Sequence, residues 1–286
     1  MIEQEKVFTN GFNHHLRKAG ASGPDMVLLH GWPQTSYCWR HLMDALSGDY
    51  LMVAPDLRGI GDTGKPDGSY DKATVAGDIW AIMDTREIEK AILVGHDIGA
   101  RVAMRMTLDN PGRVAALVII NGRYPPLGSL RTSQADQVAE RWYFFFHQHP
   151  DLVETLVSKN VRAYYHHFLD HWSHPSFSYT EDDIAEYVRA YSQPGAIRGG
   201  CAHYQAALNE DEAQWASDVG KKIGTPTLIL WGEDDPCSPP YYTDGYHRVF
   251  TDSTFHFIAA CGHFPHEERP EETVSAIRDF LAERRD

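Results

Sequence analysis

Five short runs rich in Val, Ile and Leu constrain this chain more than any other feature: Met26 to Leu29, Leu51 to Ala54, Ala91 to Val94, Ala115 to Ile120 and Thr227 to Leu230. A strand with one solvated face alternates polar and apolar residues, so unbroken runs of this length call for cover on both faces. Between them lie the helix candidates Trp39 to Leu46, Thr74 to Thr85 and Arg101 to Asp109, with Pro270 to Glu283 late in the chain. Such alternation predicts a mostly parallel sheet flanked by helices, an α/β architecture. A hairpin precedes it, Val7 to Thr9 and Phe12 to Lys18 joined by the turn pair Asn10-Gly11.

The alternation stops after Asn121. From about Leu130 to Trp215 the sequence is helical in pattern and rich in aromatic residues and His, as in Trp142-Tyr143-Phe144-Phe145-Phe146 and Tyr164-Tyr165-His166-His167-Phe168. The βα pattern resumes at Lys222. The expected organisation is a core in two parts, 1–128 and 217–286, with a helical cap inserted at 129–216. Its 286 residues are enough for both. The cap would lie over the carboxyl ends of the strands, where open α/β sheets hold their ligands.

Lys plus Arg (26) against Asp plus Glu (40) leaves a formal charge of −14, which argues against nucleic acid or an anionic membrane as partner. The longest apolar run, Ala115 to Ile120, is far short of the ~20 residues of a membrane span. The opening Met1-Ile2-Glu3-Gln4-Glu5 has no signal-peptide character, so a cytoplasmic protein is expected. Cys38, Cys201, Cys237 and Cys261 form no CxxC pair and read as free thiols. His14-His15, and His166-His167 with His171 and His174, match no metal-binding spacing, so no metal or cofactor is expected.

Four segments carry chemistry. Gly95-His96-Asp97-Ile98-Gly99 follows a buried strand and precedes a helix, the G-x-Nu-x-G nucleophile elbow with Asp97 at the nucleophile position. The bland alternative is an Asp that caps the helix. His30-Gly31-Trp32-Pro33 follows the first buried strand, and a turn there can aim the N–H of Trp32 at the same point as the N–H of Ile98. Two such donors make an oxyanion hole. Cys261-Gly262-His263-Phe264 lies just past the strand-like Phe255 to Ala259, and puts His263, ahead of its neighbour His266, where a base is needed. Glu233-Asp234-Asp235 ends another strand, and Asp235, in preference to Asp234, is expected to orient that His.

In the order Asp97, Asp235, His263, with His30-Gly31-Trp32-Pro33-Gln34 and Pro55-Asp56-Leu57-Arg58-Gly59-Ile60-Gly61-Asp62, the chain resembles the epoxide hydrolase and haloacetate dehalogenase branch of the α/β-hydrolases. The resemblance runs over nearly the whole length and implies the α/β-hydrolase fold. Fluoroacetate dehalogenases carry Arg directly after the nucleophile and again three residues on. Arg101 matches the second, but Ile98 stands at the first. The His-Trp pair that receives halide in those enzymes aligns with Trp142 and Tyr143, which leaves Trp142 as a substrate contact. Epoxide hydrolases use two cap tyrosines on the epoxide oxygen, and Tyr143, ahead of Gln148-His149-Pro150, and Tyr204 match them, although Gln205 replaces the usual Arg. Some members carry the triad acid where this chain has Asn121, which leaves that role to Asp235. The resemblance thus implies an epoxide hydrolase that forms a covalent Asp97 ester. Its partner would be a small-molecule epoxide, with homodimerisation as the one association considered. Haloacetate dehalogenation is the alternative, and a catalytically inactive ligand receptor a third.

Overall fold

The computed structural model describes residues 1–127 and 141–284. Eight strands form one sheet: β1 (Glu3–Thr9), β2 (Phe12–Ala19), β3 (Asp25–Leu29), β4 (Leu51–Pro55), β5 (Ala91–His96), β6 (Val114–Ile120), β7 (Thr227–Gly232) and β8 (Ser253–Ile258). Their spatial order is β1-β2-β4-β3-β5-β6-β7-β8. The first two pairings, β1 with β2 and β2 with β4, are antiparallel, and the rest are parallel. This is the α/β-hydrolase arrangement. The expected hairpin is present with its turn at Asn10-Gly11, both at positive φ.

The apolar runs sit where two-sided burial demands. All six residues of β5 and of β7 are buried, as are six of the seven in β6. Helices α1 (Arg40–Leu46), α2 (Lys72–Thr85) and α3 (Ile98–Asp109) alternate with the strands. Asp71 starts α2 by accepting the N–H groups of Ala73 and Thr74, which is why that helix begins two residues before the apolar pattern alone indicates.

Past β6 the described residues are helical until β7: α4 (Trp142–Phe146), α5 (Pro150–Val157), α6 (Val161–Trp172), α7 (Glu181–Tyr191), α8 (Ala196–Asn209) and α9 (Asp211–Ala216). The expected boundary between 128 and 129 lies outside the described residues. After β8 come α10 (Pro265–Glu268) and α11 (Pro270–Ala282). No described helix is long and apolar enough to cross a membrane.

The crossing of α3 over the end of β3 leaves no room for a side chain. A Cβ on Gly99 would lie 2.1 Å from the Leu29 carbonyl oxygen, and one on Gly95 2.6 Å from the Cα of Ala100. Gly99→Ala should therefore push α3 off the sheet. Urea denaturation should show a loss of about 1–3 kcal/mol, the usual range for overpacking.

Candidate active site

β5 delivers Asp97 at the carboxyl edge of the sheet, flanked by β3 and β6. Its backbone has φ 49° and ψ −113°, a conformation that a residue with a Cβ rarely takes, and α3 starts at the next residue. This turn lifts the carboxylate out of the sheet. The Trp32 N–H donates to Asp97 Oδ1 at 3.2 Å. Ile98 opens α3, so its N–H is one of the amides for which the helix supplies no carbonyl.

His263 lies across from Asp97, with its Nε2 3.9 Å from Asp97 Oδ2 and without a hydrogen-bond partner among the described residues. On its other side, Nδ1 meets Asp235 Oδ2 at 2.8 Å. Both are fully buried. Burial alone would push the imidazole toward neutrality, but the charge and hydrogen bond of Asp235, with the charge of Asp97, hold its pKa above the ordinary value. The Asp235 carboxyl is driven the opposite way, below its ordinary value, because the charge and hydrogen bond of His263, with hydrogen bonds from Ser238 and Asn121, outweigh its burial. Asp234 points outward and is exposed, with His174 Nε2 3.8 Å from its Oδ2. His266 is buried beneath the site, its Nε2 on Gln34 Oε1 at 3.0 Å.

Tyr143 from α4 and Tyr204 from α8 face the same small chamber as Asp97 and Ile98. Their rings meet edge to face with centroids 5.6 Å apart, and Tyr143 Oη lies 3.5 Å from Cys237 Sγ. Burial, reinforced by the nearby thiol and carboxylate, raises both phenols well above their ordinary pKa, so both keep their protons at neutral pH. The free space left at Asp97 is only about 10 Å³, about enough for one water. Arg101 lines this chamber together with Lys72 and Arg123. Trp142 does not. It is 45% exposed, with its ring stacked on Phe168. The resemblance implies a substrate contact there; the structure leaves Trp142 out of the chamber lining, and Tyr143 and Phe144 are the α4 residues that line it.

Residues 24–270 match the α/β hydrolase fold family. The chain belongs to the α/β-hydrolases. It is 35% identical to the soluble epoxide hydrolase of Corynebacterium sp. (strain C12) over 98% of both chains. It is 28% identical to the fluoroacetate dehalogenase of a Burkholderia species, over 93% of this chain and 90% of that one. The solved structure of the epoxide hydrolase CorEH without ligand superposes with a TM-score of 0.90 at 33% identity, covering all of both chains. The protein is a hydrolase.

Several residues of this α/β-hydrolase support the site without having been legible as such. Asn121, at φ 44° after β6, donates through Nδ2 to Asp235 Oδ2 at 2.6 Å and accepts the Gly232 N–H on Oδ1 at 3.2 Å. The residue without a charge thus orients the one that has it. Glu268 accepts the N–H groups of Gly262, Phe264 and His174, each at 2.8 Å, and so fixes the loop on both sides of His263. The Trp172 carbonyl, at the end of α6, takes the His263 N–H at 2.8 Å. Gln148 Nε2 donates to the carbonyls of Phe144 and Tyr204, joining the segments that bear the two tyrosines. His147 stacks on Tyr204 and is held neutral by burial, its pKa down at about 3. The Asx pattern at Asn121 and the acid five residues after His263 were the available signals; nothing in the sequence marked His147 or the Trp172 carbonyl.

Asp235, Cys237 and His263 bring ligand-type atoms within 4.8 Å of one another, as do His15, Asp56 and Asp62. In the first group the Asp235 carboxylate already accepts from His263, Asn121 and the N–H groups of Cys237 and Ser238. That fills the roughly four acceptor sites a carboxylate has. In the second, Asp56 is taken up by His15 and the N–H groups of Ser36 and Asp62. These sets suit internal hydrogen bonding.

Because Asp235 is the main influence raising the His263 pKa, Asp235→Asn should lower the imidazole's titration midpoint, followed by NMR, below that of the wild type. Asp234→Asn should leave it in place. An equal shift in both variants would show that a diffuse field, rather than the 2.8 Å contact, sets the pKa.

Proposed function

We propose that this hydrolase opens epoxides to vicinal diols through a covalent ester on Asp97, within a core of residues 1–128 and 217–286 covered by a cap of residues 129–216. The observation that carries the reading is the pair of protonated phenols, Tyr143 and Tyr204, in the same closed chamber as the Asp97 carboxylate. Attack of a carboxylate on an epoxide carbon breaks a C–O bond and leaves an electron pair on the ring oxygen. That alkoxide is a strong base and needs an acid in the transition state. A dehalogenase has no such need, since halide leaves as a weak base. The names of several relatives, among them the Corynebacterium enzyme, accord with this reading.

The second half of the reaction falls to His263. Neutral at its Nε2, it takes a proton from water, and the resulting hydroxide adds to the carboxyl carbon of the ester. The tetrahedral oxyanion is stabilised by the N–H groups of Trp32 and Ile98. Collapse of this intermediate expels the second diol oxygen, which takes the proton from the imidazolium, while the proton left on the Asp97 carboxyl returns to the phenolate formed in the first step and so restores both groups. Asp235 holds the imidazole in place and stabilises its charged form.

A second reading, dehalogenation of a 2-haloacid, draws on Arg101 in the chamber wall and on the fluoroacetate dehalogenase relative. Release of fluoride or chloride from haloacetates, with no diol formed from styrene oxide, would favour it.

Since a carboxylate needs no deprotonation to attack, His263→Gln should still form the ester but fail to hydrolyse it. Mass spectrometry after incubation with styrene oxide should find a substrate-sized adduct on the peptide bearing Asp97. Tyr143→Phe combined with Tyr204→Phe should give little adduct and at least about 10²-fold slower turnover, the lower end of what general acids contribute. No adduct in the His263 variant, with the fold intact, would rule out the covalent route.

A further inference from the structure

One residue before Tyr204, helix α8 carries a buried imidazole that the mechanism above leaves unused. His203 lines the Asp97 chamber with Lys72, Ile98 and Tyr204, and it is 1% exposed. Its Nε2 lies 2.9 Å from the Arg58 carbonyl oxygen. A carbonyl can only accept, so Nε2 carries the proton. Burial, and after it the nearby charge of Lys72, holds the imidazole pKa well below its ordinary value, so the ring is neutral and has one N–H. The tautomer is thereby fixed, and Nδ1 is a bare lone pair. That nitrogen is buried without a hydrogen-bond partner among the described residues.

The ring has little freedom to turn Nδ1 elsewhere. One turn earlier on α8, Gly199 packs so closely that a Cβ on it would lie 2.1 Å from the Gly59 carbonyl oxygen. The segment beneath is tied down as well: the Arg58 guanidinium donates to Asp78 at 2.7 and 2.8 Å and to the Ser69 carbonyl at 2.9 Å. Tyr70 meets the imidazole edge to face, with ring centroids 5.2 Å apart. An acceptor held out of water without a donor is costly until a ligand supplies the hydrogen. Lys72 stands in the same wall, its ammonium 3.0 Å from the Asp211 carboxylate and 3.3 Å from the Tyr70 carbonyl. Those contacts account for two of its three N–H groups. A lone-pair acceptor near an ammonium suits a hydroxyl, which gives one hydrogen and accepts another. An ether oxygen has no hydrogen to give and would leave Nδ1 unpaired.

We infer that this wall selects an epoxide bearing a hydroxyl on the carbon next to the ring, with the hydroxyl donating to His203 Nδ1 while Asp97 attacks the epoxide. The inference rests on the epoxide reading above and adds the substrate class. The position of the hydroxyl follows from the space. His203, Asp97 and both phenols line one chamber with room for about one water, so the hydroxyl and the epoxide oxygen are only a few bonds apart.

The test compares glycidol with methyl glycidyl ether, in which the same oxygen is capped. Glycidol should be preferred by at least about tenfold in kcat/KM, because a buried acceptor left unpaired discriminates against the ether. His203→Gln puts an amide where Nε2 stood and keeps a donor for the Arg58 carbonyl, but has no atom at the Nδ1 position. In that variant the preference should fall toward parity through a higher KM for glycidol. His203→Asn, whose amide reaches the Nδ1 position, should retain part of it. Equal use of the two epoxides by the wild type, or a preference that survives in His203→Gln, would overturn the inference. If neither these epoxides nor styrene oxide gives a diol, the epoxide reading itself fails. The acceptor is then judged by nitrogen NMR of isotopically labelled histidines in the wild type, with glycerol as the probe. Glycerol should move the His203 Nδ1 signal upfield, as a hydrogen bond to a bare nitrogen does, and the dimethyl ether of ethylene glycol should not. No movement, or the same movement with both compounds, would overturn the acceptor seat as well. The same spectra decide the matter if His203→Gln does not fold.

Discussion

Asp97 sits at φ 49° and ψ −113°, and nearly everything near the site exists to keep it there. A residue with a side chain resists such a backbone by about 1–3 kcal/mol, so the conformation persists only where the surroundings leave no alternative. Here β5 is paired on both sides, α3 is pressed onto the end of β3 through Gly99, and the Trp32 N–H holds the carboxylate from the far side of the sheet edge. These three constraints come from segments distant in sequence. They meet only because parallel strands all end at the same edge, and that makes the edge a natural place for chemistry.

The second organising interaction is the buried contact between Asp235 and His263. An ion pair out of water is weak support for stability, because desolvation offsets most of the attraction. Its value is geometric. Asn121, Cys237 and Ser238 saturate the rest of the Asp235 carboxylate, and Glu268 clamps the chain on either side of His263, so the imidazole has one orientation available. The helices between β6 and β7 take part as well: the Trp172 carbonyl accepts the His263 amide, so the imidazole stands on a loop tied to α6.

The core of this arrangement was legible in the sequence because it depends on local patterns. Unbroken Val, Ile and Leu runs can only be two-sided strands, and a Gly-x-Asp-x-Gly turn after one of them leaves few alternatives to an elbow. Asp235 and His263 were legible by position alone, each just beyond a strand end. The helices between β6 and β7 were less legible, since aromatic residues there both pack and line the chamber. Tyr143 points in while its neighbour Trp142 points out, and a five-residue helix sets that difference, not composition. Asn121 was weighed only for the charge it lacks, while its two hydrogen bonds are what fold the acid into place.

The small volume left at Asp97 has a kinetic meaning. A chamber with room for about one water holds no substrate as it stands, so on the proposed reading binding waits for a more open arrangement of the rings that line it, Tyr143, Phe144 and Tyr204, and of Trp32, Phe168 and Trp172 packed against Tyr143. The observed affinity is then the intrinsic affinity reduced by the fraction of molecules that are open. On the proposed covalent route the same tightness would exclude bulk water while an ester stood on Asp97, leaving its hydrolysis to the single molecule that His263 could hold. Gatekeeping and timing thus reside in one cluster of rings, and substitutions that thin it would exchange control over water for speed of access.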